Sequence, residues 1–278
     1  SSNYIFDIEK DKYGRVWVAT QNGITVIDGQ NFVKYGKGDS LPSSDIKNIT
    51  FYNNEAYIAT STKGVYVFNG DFFEKIKPIQ GGKISHIDKV GDYLFVSTNM
   101  ANLLYDGSKV KYMGWGFPKG EVVDVSSYDG ERWYAGKKNI IQEESNNKFK
   151  NYELYFEDKK IVIQCILYKD KMIYIGTNKG LYSWAKNKNL TLEERFLNVV
   201  SLEHFNTEVV ILGTKKGIYS FQDGHLSPIK SDDSINGLLS SVHIKNVKVI
   251  NNHEIWYSTF GQGVLYHDPN SFYNIGKK

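Results

Sequence analysis

Six lysines occupy the same point of a recurring motif: Lys63, Lys137, Lys138, Lys179, Lys215 and Lys216. Each lies in a polar corner between an apolar run closed by Thr or Gly and a second run opened by Gly or Asn. Residues 174–182 (Y-I-G-T-N-K-G-L-Y) and 212–219 (L-G-T-K-K-G-I-Y) show the pattern. An arc of ammonium groups would attract an acidic ligand such as a uronic-acid or sulfated oligosaccharide. The same residues also read as solvated turn lysines in a Lys-rich chain. A second concentration is the stretch 112–119 (Y-M-G-W-G-F-P-K), where Trp115 and Phe117 stand between glycines in neither a strand nor a tight-turn pattern. Exposed, these rings suit stacking on a sugar or a peptide side chain. Buried, Trp115 would fill the space between neighbouring structural units.

Other reactive residue types are scattered. His86, His204 and His243 fall on or near strands that would line a channel, where three converging imidazoles bind metal. The six histidines show no H-x-H or H-E-x-x-H spacing, however, and neither a metal nor a cofactor is expected. Cys165, the single cysteine, sits in the apolar run 161–167 and reads as a buried, inert thiol. No Gly-rich phosphate loop or nucleophile elbow is present. A lyase or hydrolase working through isolated Tyr, His or carboxylate groups would leave no local motif, so an enzyme stays open as an alternative.

The elements that would position these residues come from a repeat. Aligned on the residue closing the first apolar run, Thr20, Thr60, Thr98, Gly136, Thr177, Thr214 and Thr259 mark seven units of about 40 residues. Each unit carries four strand-like runs, here A to D. Asp-, Asn- and Gly-rich turns join A to B and C to D, as at Asn53-Asn54, Asp129-Gly130 and Asp223-Gly224; such pairs suit two-residue hairpins. Period and strand count predict an all-β, seven-bladed β-propeller with four antiparallel strands per blade. One domain over 1–278 is expected, with blades at about 1–36, 37–77, 78–114, 115–155, 156–197, 198–231 and 232–278. No repeat is split across the termini, so each blade should be one contiguous segment. In the fourth unit Asn139 replaces the corner glycine, and it is expected to take the left-handed conformation. Trp17, Trp133 and Trp256 occupy equivalent B positions and are expected in the core.

Composition narrows the partners. Lys plus Arg is 34 against 31 acidic residues, a net charge of +3, too balanced for a nucleic-acid surface. No apolar run approaches the ~20 residues of a membrane-spanning helix. The first residues, Ser-Ser-Asn, carry no signal-peptide pattern.

The stretch 11–24, D-x-x-G-x-V-W-V-A-T-x-N-G-I, resembles the two-component regulator propeller repeat, with partial matches at 129–136, 172–181 and 254–264. The resemblance covers essentially the whole chain, loosely in units three and four. It implies a periplasmic or extracellular sensor region of the kind found in bacterial hybrid histidine kinases, with carbohydrate sensing in many members. Residues 11–17 and 129–133 also loosely resemble the Asp-box of sialidases. That chemistry needs several arginines around one carboxylate, whereas Arg15 and Arg132 belong to A–B turns and Arg195 to an outer strand. The expected function is therefore non-catalytic recognition of an oligosaccharide or other small polar ligand on the face shared by the B–C corners and D–A connections. A protein-interaction scaffold is the first alternative.

Overall fold

The computed structural model of the chain describes residues 3–41, 46–79, 83–113, 117, 120–144, 148–229, 241–251, 254–268 and 271–275. The repeat forms seven four-stranded antiparallel sheets in a propeller arrangement, each built from one unbroken segment: 5–35, 46–75, 84–112, 124–153, 163–195, 199–228 and 244–275. Within every sheet the strands lie side by side in chain order A-B-C-D. Among the described residues the one helical segment is a 3₁₀ turn, Lys37–Asp39. Among the described residues no helix is long and apolar enough to cross a membrane.

Burial explains the composition of each strand. Strand B of the first blade, Val16–Thr20, is buried at every position, while strand D, Asn31–Tyr35, is largely exposed. A strand covered on both faces reads as a continuous apolar run, and an outer strand can afford polar residues. The A–B turns take the expected hairpin form, with positive φ at Asn53 (49°) and Asn54 (65°) and at Asp129 (49°) and Gly130 (79°). Asn139 departs from expectation. It lies in strand Asn139–Glu144 outside the left-handed region, and its side chain donates to Asn151 Oδ1 at 2.5 Å. The compensating change is at Gly136, where a Cβ would come within 2.1 Å of Asn139 Oδ1. The fourth corner thus exchanges a Thr–Gly pair for a Gly–Asn pair.

The chain divides into two compact units: Ser1–Gly114 with Lys119–Val122, holding blades 1–3, and Trp115–Pro118 with Val123–Lys278, holding blades 4–7. In the three-blade unit one apolar cluster joins Trp17, Ile49, Ile58 and Phe73, and another joins Tyr57, Ile84, Leu94 and Val96. In the four-blade unit Trp133, Ile166, Ile175 and Trp184 pack together, followed by Cys165, Leu202 and Leu212, then Ile211, Ile244 and Tyr257. Each cluster combines residues of consecutive blades. Trp17, Trp133 and Trp256 are buried, as their repetition predicts.

Polar side chains also tie neighbouring A strands within each unit. Asp7 accepts from Ile8 N and, across to the second blade, from Ile49 N, both at 2.9 Å. Asp124 repeats this with Val125 N and Ile166 N (2.9 and 2.8 Å), and Ser201 Oγ accepts from Val247 N at 3.1 Å. Six of the A strands carry an irregularity near their start, for example between Ile163 and Cys165 and between Ile244 and Asn246. A bulge of this kind re-aims the residues next to it.

Candidate functional site

Six of the seven B–C corners share one construction, the fourth being the exception. Thr177 Oγ1 donates to Gly180 O at 2.8 Å and accepts from Lys179 N and Gly180 N at 3.1 and 3.0 Å. Thr214 does the same with Gly217 O and Lys216 N, and Thr20, Thr60, Thr98 and Thr259 follow suit. At the first and fifth corners glycine is needed at the far side because strand D passes close by. A Cβ on Gly180 would lie 2.1 Å from Glu194 O, and one on Gly23 would lie 2.1 Å from Tyr35 O. Thr and Gly therefore shape the corner, and only the residues between them are displayed.

Main-chain hydrogen bonds link corners and D–A connections of the four-blade unit into one rim. Phe196 N donates to Lys179 O (3.0 Å), Lys215 N to Asn198 O (3.0 Å), Gly217 N to Val242 O (2.9 Å) and Phe260 N to His243 O (2.8 Å). In the fourth blade, Leu154 N reaches Lys138 O and Ile163 N reaches Lys137 O, each at 3.0 Å. The B–C corners and D–A connections thus lie on the same face, and each corner is braced by the connection beside it.

Lys137, Lys179, Lys215 and Lys216 are exposed on this rim, and Lys63 is exposed at the second-blade corner of the other unit. Lys138 is exposed but committed: its Nζ donates to Lys159 O at 2.5 Å and also to Ile161 O. Its charge braces the connection between blades 4 and 5. Phe117 is buried, with its ring 5.3 Å from Tyr134 and 4.9 Å from Phe149 in edge contacts. Its expected place at an exposed stacking surface is corrected accordingly, because the ring belongs to the apolar packing of the fourth blade. Trp115 lies outside the described residues.

Aromatic rings do occur on the rim, at positions that no sequence pattern marks. Phe196 is 88% exposed, Tyr155 85% and Phe260 46%. The first two follow the last strands of blades 5 and 4. Phe196 also has φ 64°, in the left-handed region that a bulky side chain disfavours. Strand D ends at Arg195, and the chain turns there so that Phe196 projects while its N–H remains bonded to the Lys179 corner. No alternation of residue types marks this position, since 192–196 (L-E-E-R-F) reads as a continuing strand.

Two lysines stand near His243 on the rim. His243 packs 5.4 Å from Phe260, and Lys245 Nζ lies 5.2 Å from the same ring. Burial, then Lys245 and Lys215, hold the His243 pKa below its ordinary value, so the ring is neutral near pH 7.

The other candidates serve the fold. His204 lies at the opposite end of its strand from the rim, paired across the ladder with Val210 and bonded to Tyr168 O at 3.3 Å, so it does not converge with His243. Among the described residues no group of three His, Cys, Asp or Glu is placed to hold a metal ion. Cys165 is buried, its thiol pKa raised by that burial, and its Sγ occupies the space a Cβ on Gly176 would take. Arg15 is bound to the Asp11 carboxylate (2.6 Å), which also accepts from Trp17 Nε1 and the backbone N–H of Tyr13 and Arg15. This Asp-box-like turn is a self-contained brace.

Residues 1–22 match the family described as two component regulator propeller, in accord with the resemblance read from residues 11–24. No curated protein matches the sequence. Among solved structures, the chain is similar to the extracellular domain of BT4673 from B. thetaiotaomicron, described as a hybrid two component system. The TM-score is 0.81 at 18% identity, over 96% of this chain and 38% of that one. The extracellular domain of the hybrid two component system BT3049 from B. thetaiotaomicron gives 0.75 at 20% identity, over 96% and 40%. YCF48 bound to D1 peptide gives 0.70 at 14% identity, over 98% and 92%. The chain therefore spans less than half the length of the two extracellular domains. At these identities the likeness is one of fold.

Proposed function

We propose that this chain is a non-catalytic, ligand-binding propeller of the sensor type, working outside the cytoplasm, which holds an acidic oligosaccharide on the B–C/D–A face of blades 5–7. The match of residues 1–22 to the two component regulator propeller and the similarity to two extracellular sensor-system domains support the sensor reading. The observation that carries the ligand reading is Phe196. A left-handed backbone costs a bulky L-residue ~1–2 kcal/mol, and here it is spent on pushing an aromatic ring into solvent beside Lys179. Strain of this kind persists where surrounding structure enforces it, often at binding sites. Phe196 and Phe260 supply stacking surfaces for sugar C–H faces. Lys179, Lys215 and Lys216 supply charge for uronate or sulfate groups.

A peptide with acidic side chains is the second reading, favoured by the similarity to YCF48, whose structure contains D1 peptide. The same lysines and rings would serve it.

The test is a pair of measurements on Phe196→Gly. Glycine relieves the backbone strain, so unfolding should require more denaturant, by about 1 kcal/mol of added stability. Titration with an oligogalacturonate should meanwhile show affinity reduced about tenfold, the loss of one stacking contact of roughly 1.4 kcal/mol. A neutral maltooligosaccharide and a Glu-rich peptide are the comparison ligands. Absence of saturable oligogalacturonate binding by the wild type, or unchanged affinity in the stabilised variant, overturns the reading. Preferential binding of the peptide replaces it with the second.

A further inference from the structure

A cavity of about 300 Å³ opens in the three-blade unit, lined by Lys12, Phe51, Asn53, Asn54 and Lys89. It lies on the A–B side of the sheets, at the opposite end of the strands from the B–C corners. Lys12 comes from the first A–B turn, the two asparagines from the second, and Lys89 from the end of the third A strand.

The lining is unusual in its chemistry. It holds two ammonium groups, two carboxamides and one aromatic ring, and no carboxylate. Two cations facing one cavity repel unless an anion lies between them. The carboxamides each offer donors and an acceptor, the combination that suits hydroxyl groups. Phe51 gives an apolar wall, fixed from behind by an edge contact on Trp17 with centroids 5.8 Å apart. The turn holding both asparagines is a tight hairpin with φ 49° and 65°, so their backbone positions are set before any ligand arrives. Lys12 Nζ stands 5.0 Å from the Tyr13 ring, which is 70% exposed beside it.

We propose that this cavity is a second binding site, which takes one polyhydroxylated carboxylate of monosaccharide size. Its volume of about 300 Å³ equals about ten waters at ~30 Å³ each, the small end of ligand pockets and room for one sugar ring. Lys12 and Lys89 hold the carboxylate, Asn53 and Asn54 bond the hydroxyls, and Phe51 meets the C–H face. The site shares no residue with the rim of blades 5–7 and stands independently of the function proposed for it.

The experiment is calorimetric titration of the whole chain with D-glucuronate, D-glucose and inorganic phosphate. Wild type is compared with Lys12→Met, Lys89→Met, the double variant, Asn54→Gly and the rim variant Lys215→Met. Methionine keeps most of the stem at an exposed position, and glycine keeps the positive-φ turn, so thermal unfolding should be unchanged. Glucuronate is expected to bind saturably, about fivefold more weakly in each single Lys variant and in Asn54→Gly, and not measurably in the double variant, each lost contact being worth ~1 kcal/mol. Lys215→Met should leave this site unchanged. Glucose and phosphate should each bind at least about tenfold more weakly, one lacking the charge and the other the hydroxyls. No saturable glucuronate binding, or full affinity in a folded double variant, overturns the proposal. Glucose binding as well as glucuronate overturns the role of the lysines, and phosphate binding as well overturns that of the asparagines.

Discussion

Within a single corner, the Thr177 hydroxyl makes three hydrogen bonds in a space closed to water. Thr177→Val keeps the shape and leaves the N–H groups of Lys179 and Gly180 and the carbonyl of Gly180 without that partner. Stability to urea should fall by about 1–3 kcal/mol, and Thr177→Ser, which keeps the hydroxyl, should recover most of it. Gly180→Ala should cost more, because the added methyl meets backbone rather than a movable side chain. Burial of His86 adds a pH-dependent contribution whose sign follows from its lowered pKa. Burial holds its pKa down to about 4, against an ordinary value of 6.5. The unfolded chain therefore takes up the proton first, so stability is complete above pH 6.5 and falls as pH drops from there toward 4. Urea titrations at pH 7 and pH 4 should differ by roughly 3 kcal/mol more in the wild type than in His86→Leu. Asp11 acts below that range. Burial pushes its carboxyl upward, but the hydrogen bonds from Arg15, Trp17 and Tyr13 outweigh this and lower its pKa, so its contribution is present at neutral pH and lost in acid.

At the level of strands, the packing clusters account for apolar burial and the A-strand carboxylates for alignment. Asp124 joins Val125 N and Ile166 N, so Asp124→Ala should raise hydrogen exchange at Ile166 and its neighbours while strands C and D of the fifth blade keep their protection. Asp7→Ala should do the same at Ile49. These ties were not legible in the sequence, because Asp7 and Asp124 are ordinary polar residues until the next A strand is beside them. The strands themselves were legible. Apolar runs closed by Thr, and Asn or Asp turns such as Asn53-Asn54, encode them locally. Where the encoding changed, at Asn139, the expected left-handed turn gave way to a close fit against Gly136. The bulges near the A-strand starts leave no residue-type mark either.

On the scale of the molecule, a scaffold of repeated Thr–Gly corners displays whatever stands between them, and the corner lysines were found this way. The exposed rings of the proposed site are not marked in this way. Phe117 looked exposed because glycines flank it, yet Tyr134 and Phe149 enclose it. Phe196 looked like the last residue of a strand, and only its backbone angle and 88% exposure set it apart. Hydrogen–deuterium exchange of the whole chain, with and without saturating oligogalacturonate, tests the central claim most directly. Protection is predicted at the main-chain amides of Lys179, Phe196, Lys215 and Phe260, with no change at the A–B turns Asp129-Gly130 and Asp170-Lys171 of the same unit. Unchanged exchange on the rim, or protection confined to those turns, would contradict a ligand site on the B–C/D–A face.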